Sequence, residues 1–217
     1  TAATEIDTLS LHDALPILNF HSQIDHTING RATGEVPSNV LPLFDGAVTN
    51  TSGIADINTP AFAGIGWWHT LDERWSFGVD VSYTHWSSFD KLVVNYVNPA
   101  QAAYNAPSIF DFRNTWFASL GADYRLDDQW TLRGGLAYDE TPTVDAHRDP
   151  RIPDGSRRWL AVGIGWKASD TLRFDASYAH LFVADGHVND TSATFDTLSG
   201  FFKSYGNLLA VSGQILF

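Results

Sequence analysis

The chain has 217 residues, a formal net charge of −12 and no cysteine. An acidic balance with no Lys/Arg cluster excludes a nucleic-acid binder, and the missing thiols exclude disulfide frameworks, thiolate metal sites and cysteine nucleophiles. Mean hydropathy is close to zero and no long apolar run occurs, which excludes a transmembrane helix but not a membrane, since barrel strands alternate lipid-facing and lumen-facing residues.

Residues 1–17, TAATEIDTLSLHDALPI, stand apart from the rest of the chain. They read as the translation of a sequencing-adapter oligonucleotide rather than native protein, although Ser10 would cap a short amphipathic helix. The expected native part is 18–217, beginning inside a strand.

From residue 18 onward the sequence has period two, broken by turn signals. Strands are expected near 18–30, 59–70, 74–97, 112–126, 129–139, 157–168, 171–184 and 205–217. In the third, Trp75, Phe77, Val79, Val81 and Tyr83 alternate with Ser76, Gly78, Asp80, Ser82 and Thr84. In the fourth, Trp116, Ala118, Leu120, Ala122, Tyr124 and Leu126 oppose Thr115, Phe117, Ser119, Gly121, Asp123 and Arg125. The fifth sets Trp130, Leu132, Gly134, Leu136 and Tyr138 against Thr131, Arg133, Gly135, Ala137 and Asp139. Leu160, Val162, Ile164 and Trp166, then Leu172, Phe174, Ala176 and Tyr178, then Leu209, Val211 and Ile215 continue the pattern. An apolar face with aromatics at both ends suits a slab of lipid, because aromatic rings sit at the two water–lipid boundaries.

Three connections are tight (71–74, 127–129 and 168–170), while 98–112, 140–156 and 184–206 are long and polar. Short turns on one side and long loops on the other match periplasmic turns and extracellular loops. The expectation is an all-β transmembrane antiparallel β-barrel of the bacterial outer membrane, about eight strands of a larger one. Phe217 closes the last apolar strand and fits the terminal aromatic signal read by the barrel assembly machinery. An open piece leaves two unpaired edges in lipid, so these strands alone are expected not to transport.

Within AYDETPTVDAHRDPRIPDGSRRWLAVGIGW, the core RIPDGSRRWL (Arg151, Ile152, Pro153, Asp154 and Arg157 among its residues) resembles a signature of the FadL/TodX family of outer-membrane transporters of hydrophobic compounds. Ser156 stands where an acidic residue is commoner. NFHSQIDHTINGRA, VDVSYTHWSSFDKL, WFASLGADYRLDDQWTLRGGLAYDE and FDASYAHLFV are similar in the same order. The resemblance implies a 14-stranded barrel plugged by an N-terminal hatch, with this chain forming the C-terminal half. It also implies uptake of long-chain fatty acids or related hydrophobic compounds, with hydrophobic small molecules and outer-membrane lipid as partners and no cofactor.

A fatty acid needs an apolar slot and a cation. Trp86, Phe89, Phe117, Trp159 and Leu181 are apolar on expected lumen positions, and Phe201 and Phe202 lie in the last long connection. An apolar side chain in a watered lumen needs a partner, either ligand or hatch. Lys91, Arg113, Arg148, Arg151, Arg157 and Arg158 are the candidate cations. The preferred reading of Arg151, Arg157 and Arg158 is structural: they pair with Asp145, Asp149 and Asp154 to order a loop that Pro153 stiffens. Two alternatives stand beside the transporter. A general diffusion porin would show charged rings and few lumen aromatics. A barrel-rim enzyme would use His85, His147 or His187, but no positioned nucleophile or metal spacing accompanies them.

Overall fold

The computed structural model describes residues 14–35, 37–44, 50–102, 107–151, 153–191 and 197–216. Eight strands form one antiparallel sheet in which every neighbour in space is the next strand of the wall in sequence. They are β1 (Ala14–His21), β2 (Phe62–Thr70), β3 (Trp75–Thr84), β4 (Thr115–Arg125), β5 (Trp130–Asp139), β6 (Arg157–Lys167), β7 (Leu172–Val183) and β8 (Tyr205–Ile215). Most run nine to twelve residues, about the length that crosses a bilayer when tilted. The sheet is open, with β1 and β8 at its edges. No helix among the described residues is long and apolar enough to cross a membrane.

Burial in this sheet is inverted relative to a water-soluble fold. Trp116, Leu120, Leu136, Leu160, Val162, Tyr178, Leu209 and Val211 are exposed; between Trp116 and Leu120 the inward residues Phe117 and Ser119 are half-buried, and β6 reads half-buried and exposed in strict alternation down to Trp166, apart from a buried Gly165. Among the described residues the buried hydrophobic side chains are Ala14 and Val188, whereas Thr51, Ser82, Thr115, Thr141, Thr143 and Arg148 are buried. Apolar exposure on this scale is unstable in water and stable in lipid.

The exposed face ends in two aromatic bands. At the end with short turns, Trp75 contacts Phe77 and Tyr124, and Trp166 stacks between Trp130 and Phe174. At the other end Tyr83 packs on Trp116, near Phe20, Tyr138, Phe182 and Tyr205. Two of the short turns share a device: Asp72 Oδ1 accepts the N–H groups of Arg74 and Trp75, and Asp127 Oδ1 those of Gln129 and Trp130, all within 2.8 Å. Each is an Asx turn that closes the hairpin and starts the next strand on a girdle Trp.

The structure corrects several element boundaries. The strand expected over 74–97 stops at Thr84; a 3-10 turn at Trp86–Ser88 follows, then short ladders at Lys91–Leu92 and Val94–Tyr96. Apolar residues continue at near-regular spacing there, but Ser87, Ser88 and Asp90 form local turns instead of a ladder. Above the wall, the β1–β2 hairpin continues as Ile24–Ala32 paired with Thr51–Thr59, to which Val94–Tyr96 adds a third strand. Pro60 stands at one break between wall and extension, where its missing N–H ends the ladder. The connection expected as a loop over 184–206 is largely a second hairpin, Gly186–Thr191 with Thr197–Phe202. At the start, β1 reaches back to Ala14, and residues 14–17 pair with β2. Phe217 and Ile152 lie outside the described residues.

Candidate functional site

Strand register assigns each side chain to the inner or outer face. On the inner face one row crosses adjacent strands as Gly78, Gly121, Gly135, Ala161 and Ala179. Trp68 flanks it on one side, and its ring fills the space over Gly78, where an added Cβ would come within 2.5 Å of the indole. Leu208 flanks it on the other side. Five small residues in register hollow the wall at mid-height.

Below that belt the inner face is charged. Arg133 sits between Asp123 on β4 (3.4 Å) and Asp175 two strands away on β7 (2.5 Å). It reaches Asp175 by crossing over Gly165, where a Cβ would stand 3.1 Å from both terminal guanidinium nitrogens. Arg125, Lys167 and Arg173 join this cluster around a concavity of about 620 Å³ that faces the short-turn end. Such half-exposed pairs contribute little stability each, and their main effect is to keep the lower lumen polar and wet.

Above the belt the inner face carries large apolar side chains beside the Asp139–Arg157 pair. Trp159 and Leu181 are register partners, and Phe117 lies one row higher on β4. These three lumen positions agree with the sequence pattern. The Trp159 Nε1 is buried with no hydrogen-bond partner among the described residues, an orphan donor of the kind native proteins seldom keep without a use. Trp86 and Phe89 do not lie on the wall. They belong to the turn above β3, where Trp86 meets Phe112 edge-on at 5.9 Å and Phe89 packs on Phe110 (5.2 Å) and Phe112 (5.7 Å). Asp111 takes a left-handed backbone, φ 46°, between those two rings, and both Phe110 and Asp111 donate to the Asp90 carbonyl. That turn points Phe110 and Phe112 into one cluster, a role open to Asp because its short polar side chain tolerates positive φ. Phe110 and Phe112 were missed as site candidates; only their spacing from Phe89 across a turn makes the cluster.

The candidate cations separate. Arg157 is committed to Asp139 (3.0 Å) and Asp154. Arg151 pairs with Asp149, whose carboxyl is held below the usual carboxylate range by that guanidinium. Asp145 pairs with Arg148, not with the three arginines expected. Arg158 leaves the network altogether, because period two puts it on the outer face between Tyr138 and Phe182. Lys91 is exposed on a two-residue ladder with Ile109. Arg113 donates Nε to the Thr141 carbonyl (3.0 Å) and its backbone N–H to Pro142, and its terminal nitrogens have no partner among the described residues. Phe201 is exposed and carries Lys203 5.5 Å above its ring; Phe202 is half-buried.

Residues 140–156 form a polar knot. Arg148 is only 4% exposed; it donates Nε to the Asp154 carbonyl (3.0 Å) and a terminal nitrogen to the His187 carbonyl (2.6 Å) of the adjacent hairpin. Thr141 donates its hydroxyl to Asp154, and its N–H goes to the Ser156 hydroxyl at 3.2 Å. His85, His147 and His187 meet no catalytic partner among the described residues, and no group of three metal-ligating side chains is found there.

A family model described as "Outer membrane protein transport protein (OMPP1/FadL/TodX)" matches residues 14–217. The chain is 30% identical over 173 residues to a 47 kDa outer membrane protein of Pasteurella multocida, covering 75% of this chain and 38% of that protein. It is 25% identical over 161 residues to the long-chain fatty acid transport protein of Escherichia coli K12, covering 72% and 34%. The crystal structure of a Pseudomonas aeruginosa FadL homologue superposes with a TM-score of 0.80 at 28% identity, covering 94% of this chain and 49% of that one. The Pseudomonas putida toluene transporter TodX shares the fold, with a TM-score of 0.53 at 15% identity, covering 94% and 46%. The chain thus spans less than half the length of the relatives it matches.

Proposed function

The chain belongs to the OMPP1/FadL/TodX family of outer-membrane transport channels, not enzymes, and from that premise we propose that it forms the C-terminal half of a barrel for long-chain fatty acids or related hydrophobic compounds. The observation that carries the reading is the arrangement of apolar side chains where a water-filled pore would place polar ones. Phe117, Trp159 and Leu181 line the inner wall above a belt of small residues, and the aromatic cluster of Trp86, Phe89, Phe110 and Phe112 stands above them. An amphipathic molecule can lay its chain on such rings and its carboxylate on a guanidinium. Arg113 suits that role best of the candidates, being next to Phe112 with no partner for its terminal nitrogens among the described residues, whereas Arg157 already serves two carboxylates. Lys91 is the second choice.

The open edges of β1 and β8 need partner strands in lipid, because no water is available there for an unpaired backbone. Strands from the rest of the barrel supply them in this reading. The test is growth on a long-chain fatty acid by a strain lacking its own transporter, complemented by the full-length gene. Trp159→Ala and Arg113→Gln should each reduce uptake several-fold while leaving heat-modifiable gel migration unchanged. A correctly assembled wild-type barrel that passes small polar solutes but does not complement would favour the diffusion porin instead.

A further inference from the structure

A polar island interrupts the lipid-facing side of the wall at its long-loop end. Arg158 stands on the outer face of β6 with Tyr138 and Phe182 as register partners, and Tyr205 continues that row. One row lower are His180 on β7 and Asn207 on β8. Asn207 Oδ1 accepts the Tyr178 hydroxyl at 2.7 Å and lies 2.8 Å from His180 Nδ1, and His180 is also packed edge-on against Phe182 at 4.4 Å. The island is therefore built and braced, not a scatter of surface groups.

Its donors are left over. With Oδ1 of Asn207 taken twice, the amide nitrogen of Asn207 has no partner among the described residues, and neither has the Arg158 guanidinium. The outward carboxylate at the top of the neighbouring strand, Glu140, accepts the Trp116 N–H through Oε2 at 3.0 Å and forms no ion pair with Arg158. A charged side chain facing lipid is costly near mid-bilayer and cheap at the boundary, where it meets headgroups. Arg158 is the second residue of its strand, level with the girdle rings Tyr138, Phe182 and Tyr205.

We propose that Arg158, with Asn207 braced by Tyr178 and His180, forms a binding site for the phosphate group of an outer-leaflet lipid, its acyl chains lying down the apolar face over Leu160, Val162 and Leu209. A guanidinium fork and an amide match two phosphate oxygens, and the neighbouring rings suit the sugar or glycerol that carries them. The site lies on the opposite face of the wall from the lumen and does not depend on which compound is transported.

The experiment uses the full-length barrel, reconstituted with bis-phosphorylated lipid A and, in parallel, with the same lipid after phosphatase treatment, and counts retained lipid by native mass spectrometry. The wild type should retain the phosphorylated lipid at least about tenfold better than the dephosphorylated one, and Arg158→Gln should abolish that preference. Arg158→Lys, which keeps the charge but loses the fork, should retain an intermediate fraction. Competition by inorganic phosphate alone at the same concentration would show a bare anion site and overturn the lipid assignment. Equal retention by Arg158→Gln and wild type would overturn the proposal, as would a pairing of Arg158 with a carboxylate of the adjoining strand at the β8 edge.

Discussion

Arg148 offers the sharpest test of how the long loop is held, because its environment separates charge from hydrogen bonding. The residue is 4% exposed, yet its ionic partner Asp145 is 69% exposed. Removing Arg148 therefore strands no buried carboxylate, and the ion pair itself contributes little. What is lost is the charged donor to the Asp154 carbonyl and to the His187 carbonyl across the connection to the second hairpin. A hydrogen bond to a charged group is worth about 1.5–3 kcal/mol. His187 is exposed and regains water, so the net cost of Arg148→Ala is set mainly by half-buried Asp154 and comes to about 2 kcal/mol, roughly a thirtyfold rise in local opening. Hydrogen exchange on the full-length barrel should show that rise in residues 140–156 and 184–191 and none in β3 or β4. Asp145→Asn should be near neutral. Gly186→Ala should imitate Arg148→Ala, because an added Cβ would stand 2.9 Å from the Arg148 Nε and push the side chain out. Exchange within twofold of wild type in both Arg148→Ala and Gly186→Ala would refute the reasoning, as would a large effect of Asp145→Asn.

The same geometry leads to two more outcomes. Trp67 and Trp68 are adjacent but lie on opposite faces; in single-tryptophan variants of the reconstituted barrel, brominated acyl chains should quench Trp67 strongly and Trp68 weakly, and equal quenching would contradict the face assignment. In the β2–β3 turn, backbone N–H groups from Arg74 and then Trp75 hold the Asp72 carboxyl below its ordinary range. A lowered carboxylate contributes stability that is complete above its unfolded value of about 3.9 and lost as pH falls through the lower folded value. Refolding yield of wild type should thus drop more steeply than that of Asp72→Asn as pH is taken from about 5 to 2; parallel curves would remove the turn from the explanation.

Much of the wall was readable because a strand has an exact two-residue period and lipid rewards strict alternation. Trp116 to Tyr124 and Leu160 to Trp166 needed nothing else. The extensions above the wall were harder because they rise out of the lipid slab, so the strict apolar alternation that marks a wall strand is lost. Thr51–Thr59 and Gly186–Thr191 are ladders of mostly small and polar residues, which composition cannot tell from loop. The stretch after Thr84 fails in the opposite way, since Trp86, Phe89 and Leu92 suggest a continuing strand while Ser87, Ser88 and Asp90 turn the chain. The small-residue belt was present residue by residue, but a belt exists only once five strands are set in register.

The arginine pair carries a constraint that residue type alone hides. Arg157 and Arg158 are neighbours on an expected strand, so period two alone sends them to opposite faces. Grouping both with Asp145, Asp149 and Asp154 treats them as loop residues and overlooks that constraint. Once the constraint is applied, Arg157 belongs to the lumen, where Asp139 and Asp154 neutralise it, and Arg158 faces lipid with no carboxylate among the described residues to meet it. A cation on the lumen side can be matched by the protein itself, because both partners share a watered space. A cation on the lipid side has only the headgroup layer or the next strand to turn to. Of the two, the arginine unmatched among the described residues, and not the matched one, is therefore the residue for which the headgroup layer is the proposed partner.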